Sequence, residues 1–169
     1  PSFLPFDNFE IHAALGEEEL LRRLADHVAA HHYPGLSHCD CFHELCRRTA
    51  LLMCDWMRLA FVHGVMNTDN MSILGLTIDY GPYGWLEAYD PSWTPNTTDN
   101  EGRLYCYGNQ PQIGLWNLTR LAEALLPLVP KEELEAGLEL YGKTYTESFR
   151  RALAAKLGLP GLGDELVKE

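Results

Sequence analysis

The strongest constraint on the fold is a long run in which apolar side chains return at helical spacing. The positions that recur are Phe42, Leu45, Cys46, Thr49, Leu52, Met53, Trp56 and Leu59. Spacings of three and four residues place these side chains on one face of an α-helix, and the resulting stripe is wide. The run stops at His63-Gly64. We therefore predict a long helix that lies at the centre of the domain.

Three further stretches predict helices. The first begins at Glu17, has acidic residues in its first turn, and is stopped by Tyr33-Pro34-Gly35. Two more are expected from Leu115 to Leu128 and from Lys131 to about Leu157, on either side of Pro130. The chain is therefore expected to be mostly helical.

Two segments predict extended structure. Phe3 to His12 alternates loosely between apolar and polar residues, which predicts a strand that ends or breaks near Pro5 and Asp7. After Gly64 the helical period is lost, and Met71–Leu74 and Leu76–Asp79 predict a short β-hairpin around Gly75. Pro91 to Pro111 is too rich in Pro, Asn, Thr and Asp for regular structure. The predicted fold class is mostly α (α+β), with one short hairpin.

Length and charge limit the partners. A chain of 169 residues fits one domain. Its net charge of -11 argues against a nucleic-acid partner, because phosphate binding needs clustered Lys and Arg. No apolar run approaches the ~20 residues that span a bilayer, and the chain has no signal-peptide pattern, so no membrane partner is expected. We expect a cytoplasmic protein in a bacterium or a mitochondrial one in a eukaryote, and the oligomeric state stays open.

Cysteine and histidine cluster near the start of the central helix. The run HCDCFHELC contains Cys39, Cys41 and Cys46 together with two histidines, which raises the possibility of a zinc site. The spacing differs from that of a zinc finger or ribbon, which uses two well-separated pairs. Cys46 and Cys54 fall on the apolar face of the predicted helix, where free cysteine commonly acts as a small hydrophobe. Reduced thiols of an intracellular protein are the favoured interpretation.

The segment His63 to Gly84 places Asp69, Asn70 and Asp79 in an otherwise apolar run. Burying such groups without partners costs free energy, so a function for them is expected. A long helix, a loop with His, Asp and Asn, and a hairpin closed by Asp-aromatic-Gly form the catalytic element of protein-kinase-like folds, in the larger lobe. In kinases the corresponding Asn and Asp hold magnesium, which prefers oxygen ligands. Asn70 and Asp79 supply such oxygens.

The kinase pattern is incomplete. His63 to Asn70 keeps the spacing of His-Arg-Asp-(four residues)-Asn, but Val65 stands where the kinase catalytic Asp would be. Asp69 precedes Asn70 directly and is the nearby carboxylate that could act as a base. A simpler interpretation is that Asp69 and Asn70 cap a turn and that His63 orients the loop. The sequons at Asn70, Asn96 and Asn117 are interpreted as chance matches.

Longer motifs indicate a family. HGVMNTDNMS and DYGP, with SFLPFDNFE upstream and QPQIGLWNLTRLAEAL downstream, resemble the selenoprotein O family, also called SelO or YdiU, over nearly the whole chain. The resemblance implies a pseudokinase-like fold that binds ATP inverted relative to kinases. It also implies transfer of AMP to Ser, Thr or Tyr hydroxyls of proteins, with Mg²⁺ or Mn²⁺. Asp69 then corresponds to the catalytic acid or base, and Asn70 and Asp79 to the metal ligands at the nucleotide.

The chain also departs from that family. Pro5 replaces an Arg that contacts phosphates, and Asp7 replaces a Gly, which should weaken ATP binding. The resemblance implies that residues 1–169 form one partial domain, a fragment of the larger lobe without the nucleotide-binding lobe or the C-terminal redox segment. Residues 158–169 are expected to be a frayed end. We expect the chain alone to be inactive.

Three functions remain open from the sequence. The first is a protein adenylyltransferase, and the second is a small-molecule phosphotransferase, which Val65 argues against because that class has Asp at this position. The third is a non-catalytic pseudokinase scaffold, which Pro5 keeps open.

Overall fold

The computed structural model describes residues 4–159. Within this range the chain forms five α-helices and two short strands. They are α1 (Asp7–Ala14), α2 (Glu18–His32), α3 (His38–Arg58), β1 (Phe61–Val62), β2 (Gly84–Trp85), α4 (Gln110–Leu125) and α5 (Lys131–Leu157). Single turns of 3₁₀-helix lie at Thr68–Asn70, Thr97–Asp99 and Tyr107–Asn109. The mostly helical class is confirmed.

Helix α3 is the centre of the fold, as its sequence predicts. It begins with a capping box, in which the Ser37 hydroxyl accepts from the backbone N–H of Asp40 and the Asp40 carboxylate accepts from that of Ser37. The helix packs along α5 and also contacts α2 and α4. Its buried side chains are Phe42, Leu45, Cys46, Thr49, Ala50, Met53, Cys54 and Trp56. The periodic stripe therefore forms the core from Phe42 to Trp56, with Leu52 half-buried. The helix ends at Arg58, before the predicted stop at His63-Gly64, because Ala60 has a φ of 58° and the chain continues as β1, and Leu59 is exposed.

Helices α3 and α5 approach closely at one glycine. A Cβ atom at Gly137 would lie 2.7 Å from two ring carbons of Phe42, which is itself buried. Any larger residue at position 137 would collide with a side chain that has little room to move. The predicted bounds of α5, Lys131 to about Leu157, are confirmed, and so is the helix predicted from Glu17.

The strand predicted at Phe3–His12 is wrong over the described residues 4–12. Only Leu4 and Pro5 are extended; Phe6 is already helical in its backbone angles as the N-cap, and α1 begins at Asp7. Phe6 and Phe9 are both buried three residues apart, which is helical spacing. The apparent alternation came from these aromatic residues, and the exposed Ile11 belongs to the outer face of α1.

The predicted hairpin is also only partly correct. Met71 and Thr77 form an isolated antiparallel bridge, but the two-stranded sheet pairs Phe61 with Trp85 and Val62 with Gly84. The reason is that residues 71–73 pair with the N-terminal segment instead. Pro5 bridges Ser72, and the Ile73 N–H donates to the Leu4 carbonyl at 3.0 Å.

Helix α4 begins earlier than predicted. It starts at Gln110 and not at Leu115, and it includes Pro111 in its first turn. Proline is tolerated there because first-turn N–H groups have no partner within the helix. The helix ends at Leu125, three residues before the predicted end and ahead of Pro127. The irregular segment predicted at 91–111 is confirmed up to residue 106, where the turn leading into α4 begins.

All five cysteines are free thiols. Cys46 and Cys54 are buried in the core, as predicted, and burial raises the pKa of Cys54 to about 11. Among residues 4–159 no cluster of three or more His, Cys, Asp or Glu side chains could hold a metal ion. No helix in the same range is long and apolar enough to cross a membrane. The predicted frayed end lies outside the described residues beyond Leu159.

Candidate functional site

The candidate site is built on the loop that follows β1, residues 63–70. This loop has no regular ladder for its backbone groups, and buried groups of this kind need other partners. Four carboxamide side chains supply them: Gln110, Asn96, Asn70 and Asn117. All four side chains are buried. We refer to them as the amide clamp.

Gln110, the first residue of α4, binds the start of the loop twice. Its Nε2 donates to the Phe61 carbonyl at 2.9 Å, and its Oε1 accepts from the His63 N–H at 2.9 Å. Both ends of the carboxamide are therefore used, and the side chain is completely buried. The arrangement ties the start of α4 to the end of β1.

The three asparagines bind three consecutive carbonyl groups. Asn96 donates to Gly64 at 3.0 Å, Asn70 to Val65 at 3.1 Å, and Asn117 to Met66 at 2.8 Å. The donors come from the long loop between β2 and α4 (residues 86–109), from the 3₁₀ turn Thr68–Asn70 and from α4. Three separate parts of the chain therefore converge on this backbone. The loop is thereby held in one conformation although residues 63–67 belong to neither helix nor strand.

His63 connects this loop to the segment that carries Asp79. Its Nε2 donates to the Ile78 carbonyl at 2.9 Å, and its ring stacks on Trp56 at 5.3 Å between centroids. The Trp56 indole N–H donates to the Thr77 hydroxyl at 3.0 Å. Because a carbonyl oxygen accepts, Nε2 carries the proton, and Nδ1 is left without a hydrogen-bond partner within the described chain. The orienting role predicted for His63 matches these contacts.

Gly64 is required by a close approach. Its φ is +84°, and a Cβ atom there would lie 2.5 Å from the Pro82 carbonyl oxygen. Only glycine adopts this conformation without strain and leaves that space free. The turn after Asp79 therefore packs directly on the loop that carries Asp69.

The Met71–Thr77 bridge brings the three predicted site residues to the same end of one turn. Asn70 lies just outside that pair, Asp69 precedes it, and Asp79 follows two residues after Thr77. The N-terminal segment closes this end from another side, because the Phe6 N–H donates to the carbonyls of Thr68 and Met71 at 3.1 and 3.0 Å.

The three polar side chains differ in their surroundings. Asp69 and Asp79 are exposed, and within residues 4–159 neither carboxylate makes a hydrogen bond or an ion pair. Asp79 has a φ of 50°, a left-handed conformation that is uncommon outside glycine. Asn70 is buried, and since its amide nitrogen is used by Val65, its amide oxygen is the atom left over. This site therefore presents two carboxylates and one carboxamide oxygen to a ligand.

The segment that carries the site is acidic. Between His63 and Asn109 the chain has one Arg, Arg103, and six acidic residues: Asp69, Asp79, Glu87, Asp90, Asp99 and Glu101. Some of the acids have local partners; Asp90, for example, accepts from the Ser92 N–H and hydroxyl, which lowers its pKa. An anionic ligand at this surface requires compensating positive charge.

Sequence reasoning missed most of the amide clamp. Local pattern places Gln110 in a loop and gives Asn96 and Asn117 no role beyond chance sequons. All three sequon asparagines turn out to be buried, with the amide nitrogen engaged by a loop carbonyl. A signal did exist: Asn117 stands in the middle of the apolar helical run GLWNL, where a polar residue needs a specific partner.

Comparisons with known proteins place the chain in a family. A family model described as "Protein adenylyltransferase SelO" matches residues 1–169. A relative from Nitrosospira multiformis, named protein nucleotidyltransferase YdiU, is 60% identical over 171 aligned positions, which cover 96% of this chain and 30% of the relative. Relatives of the same name from Aromatoleum aromaticum and Xanthomonas campestris are each 54% identical and cover 98% of this chain and 33% of the relative. The chain spans about a third of the length of these relatives.

Proposed function

This chain belongs to the protein adenylyltransferase SelO family, and on that premise we propose that the protein is a nucleotidyltransferase. In this proposal it transfers AMP from ATP to Ser, Thr or Tyr hydroxyls of other proteins. The proposal is supported by the family description and by the names of relatives that are 53–60% identical. The alternatives are phosphoryl transfer and a non-catalytic scaffold.

The larger lobe of a protein-kinase-like fold is the architecture we propose for this chain. Supporting this is the order of elements: the long helix α3, the loop with Asp69 and Asn70, a turn, and Asp79-Tyr80-Gly81. A long irregular segment and two helices then follow. In kinases this order positions the groups that act on the nucleotide phosphates.

Asn70 and Asp79 would hold the divalent cation, Mg²⁺ or Mn²⁺. The observation that supports this role is that Asn70 donates its amide nitrogen to Val65, so the oxygen is the atom available to a ligand. His63 binds the Ile78 carbonyl and so restrains the residue before Asp79. Carboxylate and carboxamide oxygens suit a hard cation. When bound, the cation would neutralise phosphate charge that the acidic surface otherwise repels.

Asp69 would act on the acceptor hydroxyl. It is exposed, lies beside Asn70, and has no partner within the described residues. In the proposed reaction the hydroxyl oxygen bonds to the α-phosphorus of ATP, the bond from that phosphorus to the bridging oxygen breaks, and pyrophosphate leaves. Asp69 would accept the hydroxyl proton or orient the hydroxyl, a role that typically contributes about 10²–10⁴-fold.

The deciding experiment uses the complete protein and ATP labelled at either the α- or the γ-phosphate. Label recovered on protein from the α-position supports adenylylation, label from the γ-position would mean phosphorylation, and no label from either would favour the scaffold. Asp79→Ala should abolish transfer while the protein stays folded by circular dichroism. Asp69→Asn, which keeps shape but removes basicity, should lower it at least about 10²-fold. Near-normal transfer by Asp79→Ala at saturating Mg²⁺ would refute the metal assignment.

A further inference from the structure

A cleft of about 380 Å³ opens beside the loop that carries Asp69. Its lining residues are Asn67, Thr68, Leu104, Tyr105, Ile113 and Trp116. Asn67 and Thr68 are the two residues immediately before Asp69, so the cleft and the proposed base share one short stretch of backbone. The opposite walls come from the long loop and from α4.

The walls of the cleft are held in place by specific bonds. The Asp99 carboxylate accepts from the N–H groups of Leu104 and Tyr105, each at 2.8 Å. The Tyr105 hydroxyl in turn donates to the side-chain oxygen of Asn67. The Asp99 bonds fix the shape of the long loop, and the Tyr105–Asn67 bond connects it to the Asp69 loop. The cleft is thus a fixed feature of the fold and not a chance gap between loose segments.

Two large apolar side chains in this cleft are left in contact with solvent. Leu104 is 49% exposed and Trp116 is 51% exposed. The Arg120 guanidinium lies over the Trp116 ring, 5.8 Å from its centroid, and covers part of the indole. Arg120 also forms an ion pair with Glu123. Exposed apolar surface next to a functional loop is typical of a surface that binds another molecule.

The position of Tyr105 relates the cleft to Asp69. Burial is the main factor that raises the pKa of Tyr105, and the negative charges of Asp99 and Asp69 add to the effect. Asn67 and Thr68 line the cleft and directly precede Asp69, so a group bound in the cleft would be close to the proposed base. A residue in an extended peptide advances about 3.3 Å along the chain. A side chain one or two positions from the acceptor residue would therefore reach the cleft.

We propose that this cleft is the acceptor-side subsite and binds an apolar side chain that neighbours the modified hydroxyl in a protein substrate. The inference rests on the proposed function and adds to it the kind of amino-acid sequence that surrounds the modified hydroxyl in the substrate. Charge complementarity further defines the occupant. Between His63 and Asn109 there are six acidic residues and one Arg, and the charge of Arg120 beside Trp116 is balanced by its ion pair with Glu123, so this surface favours a segment that also carries Lys or Arg. The expected substrate is a basic segment with Leu, Met or Phe beside the acceptor hydroxyl.

The test uses the complete protein and fluorescent peptides that carry Lys and Arg around a central Ser. In one series the neighbouring residue is Leu and in the other it is Ser, and in both series the acceptor is also replaced by Ala so that binding is measured without reaction. Fluorescence anisotropy should show at least about tenfold tighter binding of the Leu series by the wild type, comparable to the discrimination of an apolar pocket. Leu104→Ala should remove most of that difference by weakening the Leu series alone.

Leu126→Ala is the matched control, because Leu126 is 50% exposed but lies at the far end of α4. This substitution should leave the binding affinity for both peptide series unchanged. Equal binding of the two series by the wild type, or an equal loss of both in Leu104→Ala, would overturn the subsite. Transfer of α-label is measured in parallel: selective binding without such transfer would refute the adenylyltransferase proposal and leave the peptide site standing.

Discussion

Carboxamides are well suited to hold an irregular loop in a buried position. Each one offers neutral donors and an acceptor, so it can satisfy a backbone carbonyl without burying a charge. In the amide clamp, Asn96, Asn70 and Asn117 each donate to one of three successive carbonyls. An ionised side chain at these positions would add a desolvation penalty. Asn70 therefore has two tasks in our proposal, since it supports the loop through nitrogen and offers its oxygen to the cation.

Replacing Asn117 tests how much the clamp stabilises the protein. Asn117→Ala removes the hydrogen bond to the Met66 carbonyl and leaves that buried group without its donor. The expected loss in the free energy of unfolding is about 1–3 kcal/mol, the cost of leaving one buried group unsatisfied. Urea denaturation followed by circular dichroism measures it.

Asn100→Ala is the control for Asn117→Ala, because Asn100 is exposed in the long loop. Its effect should stay within about 0.5 kcal/mol, as is usual for surface substitutions. If the two variants were equally stable, the Asn117 bond would contribute nothing measurable to the fold.

The contact between α3 and α5 explains one of the two glycines in the long helix α5, Gly137, but not the other, Gly142. At Gly137 a Cβ atom would lie 2.7 Å from the Phe42 ring, whereas at Gly142 nothing lies within 4 Å. Gly137→Ala should therefore destabilise the protein by about 1–3 kcal/mol through overpacking. Gly142→Ala should stabilise it by about 0.5–1 kcal/mol, because alanine is the better helix former. Thermal unfolding of the two variants should show shifts of opposite sign.

A stability gain in both alanine variants would mean that α5 can move away from α3 at no cost. A second substitution tests whether the Phe42 ring is the group with which the new methyl group collides. Phe42→Leu combined with Gly137→Ala should lose less stability than the two single losses added together, since the smaller side chain at position 42 leaves room for the new methyl group.

Helix α3 also carries a pH-dependent ion-pair group. Glu44 accepts from Arg47 at 2.7 and 2.8 Å and from Arg48 at 2.8 Å. The hydrogen bonds from Arg47 and then Arg48 lower the pKa of Glu44 from 4.5 to about 2, against the opposing effect of burial. The folded-state pKa lies below the unfolded one. The contribution to stability is therefore fully present above pH 4.5 and is lost as the pH falls towards 2.

Glu44→Gln should consequently destabilise the protein at about pH 7 by up to about 1 kcal/mol, and clearly less at about pH 3. Urea midpoints of wild type and variant at the two pH values provide the measurement. Glu139→Gln, which removes an exposed partner of Lys143 at 3.6 Å, should have little effect at either pH. A Glu44→Gln difference that grew as the pH fell would contradict the assignment.

The charge distribution of the domain predicts how it responds to ATP. The net charge is -11, and the segment that carries Asp69 and Asp79 has a single Arg. A triphosphate at this surface meets repulsion that only a divalent cation can offset. The 169-residue chain should therefore show no ATP binding by calorimetry in the presence of EDTA, and weak binding with Mg²⁺. Asp79→Asn should abolish the response to Mg²⁺.

Low-micromolar ATP affinity of this chain without metal would contradict that prediction. It would mean that positive groups outside the Asp69 loop bind the phosphates. The same titration with Pro5→Arg tests the position at which this chain has Pro where the family is expected to have an Arg that contacts phosphates. Pro5 lies beside Ser72. One added cation near the site should improve affinity only slightly, by an amount typical of a single partly exposed charge pair.

Local pattern was sufficient for the elements whose stability depends on one apolar face. Helices α2, α3 and α5 follow from helical spacing and from stop signals such as Tyr33-Pro34-Gly35. Asp69, Asn70 and Asp79 could be selected because polar residues interrupt an apolar run, and the structure brings them to one end of a turn. Their roles in catalysis and metal binding remain proposals.

Tertiary structure decided which segments pair and which groups hold the loop. Residues 71–73 pair with the N-terminal segment, and β1 pairs with β2, because extended segments choose partners by long-range hydrogen bonding that local periodicity does not encode. The same is true of Gln110, which reaches a carbonyl 49 positions away in the chain. The cleft beside Asp69 likewise exists only because Asp99 and Asn67 fix a distant loop against it. Contacts of this kind depend on the packed fold, and a short window of sequence contains only one partner of each.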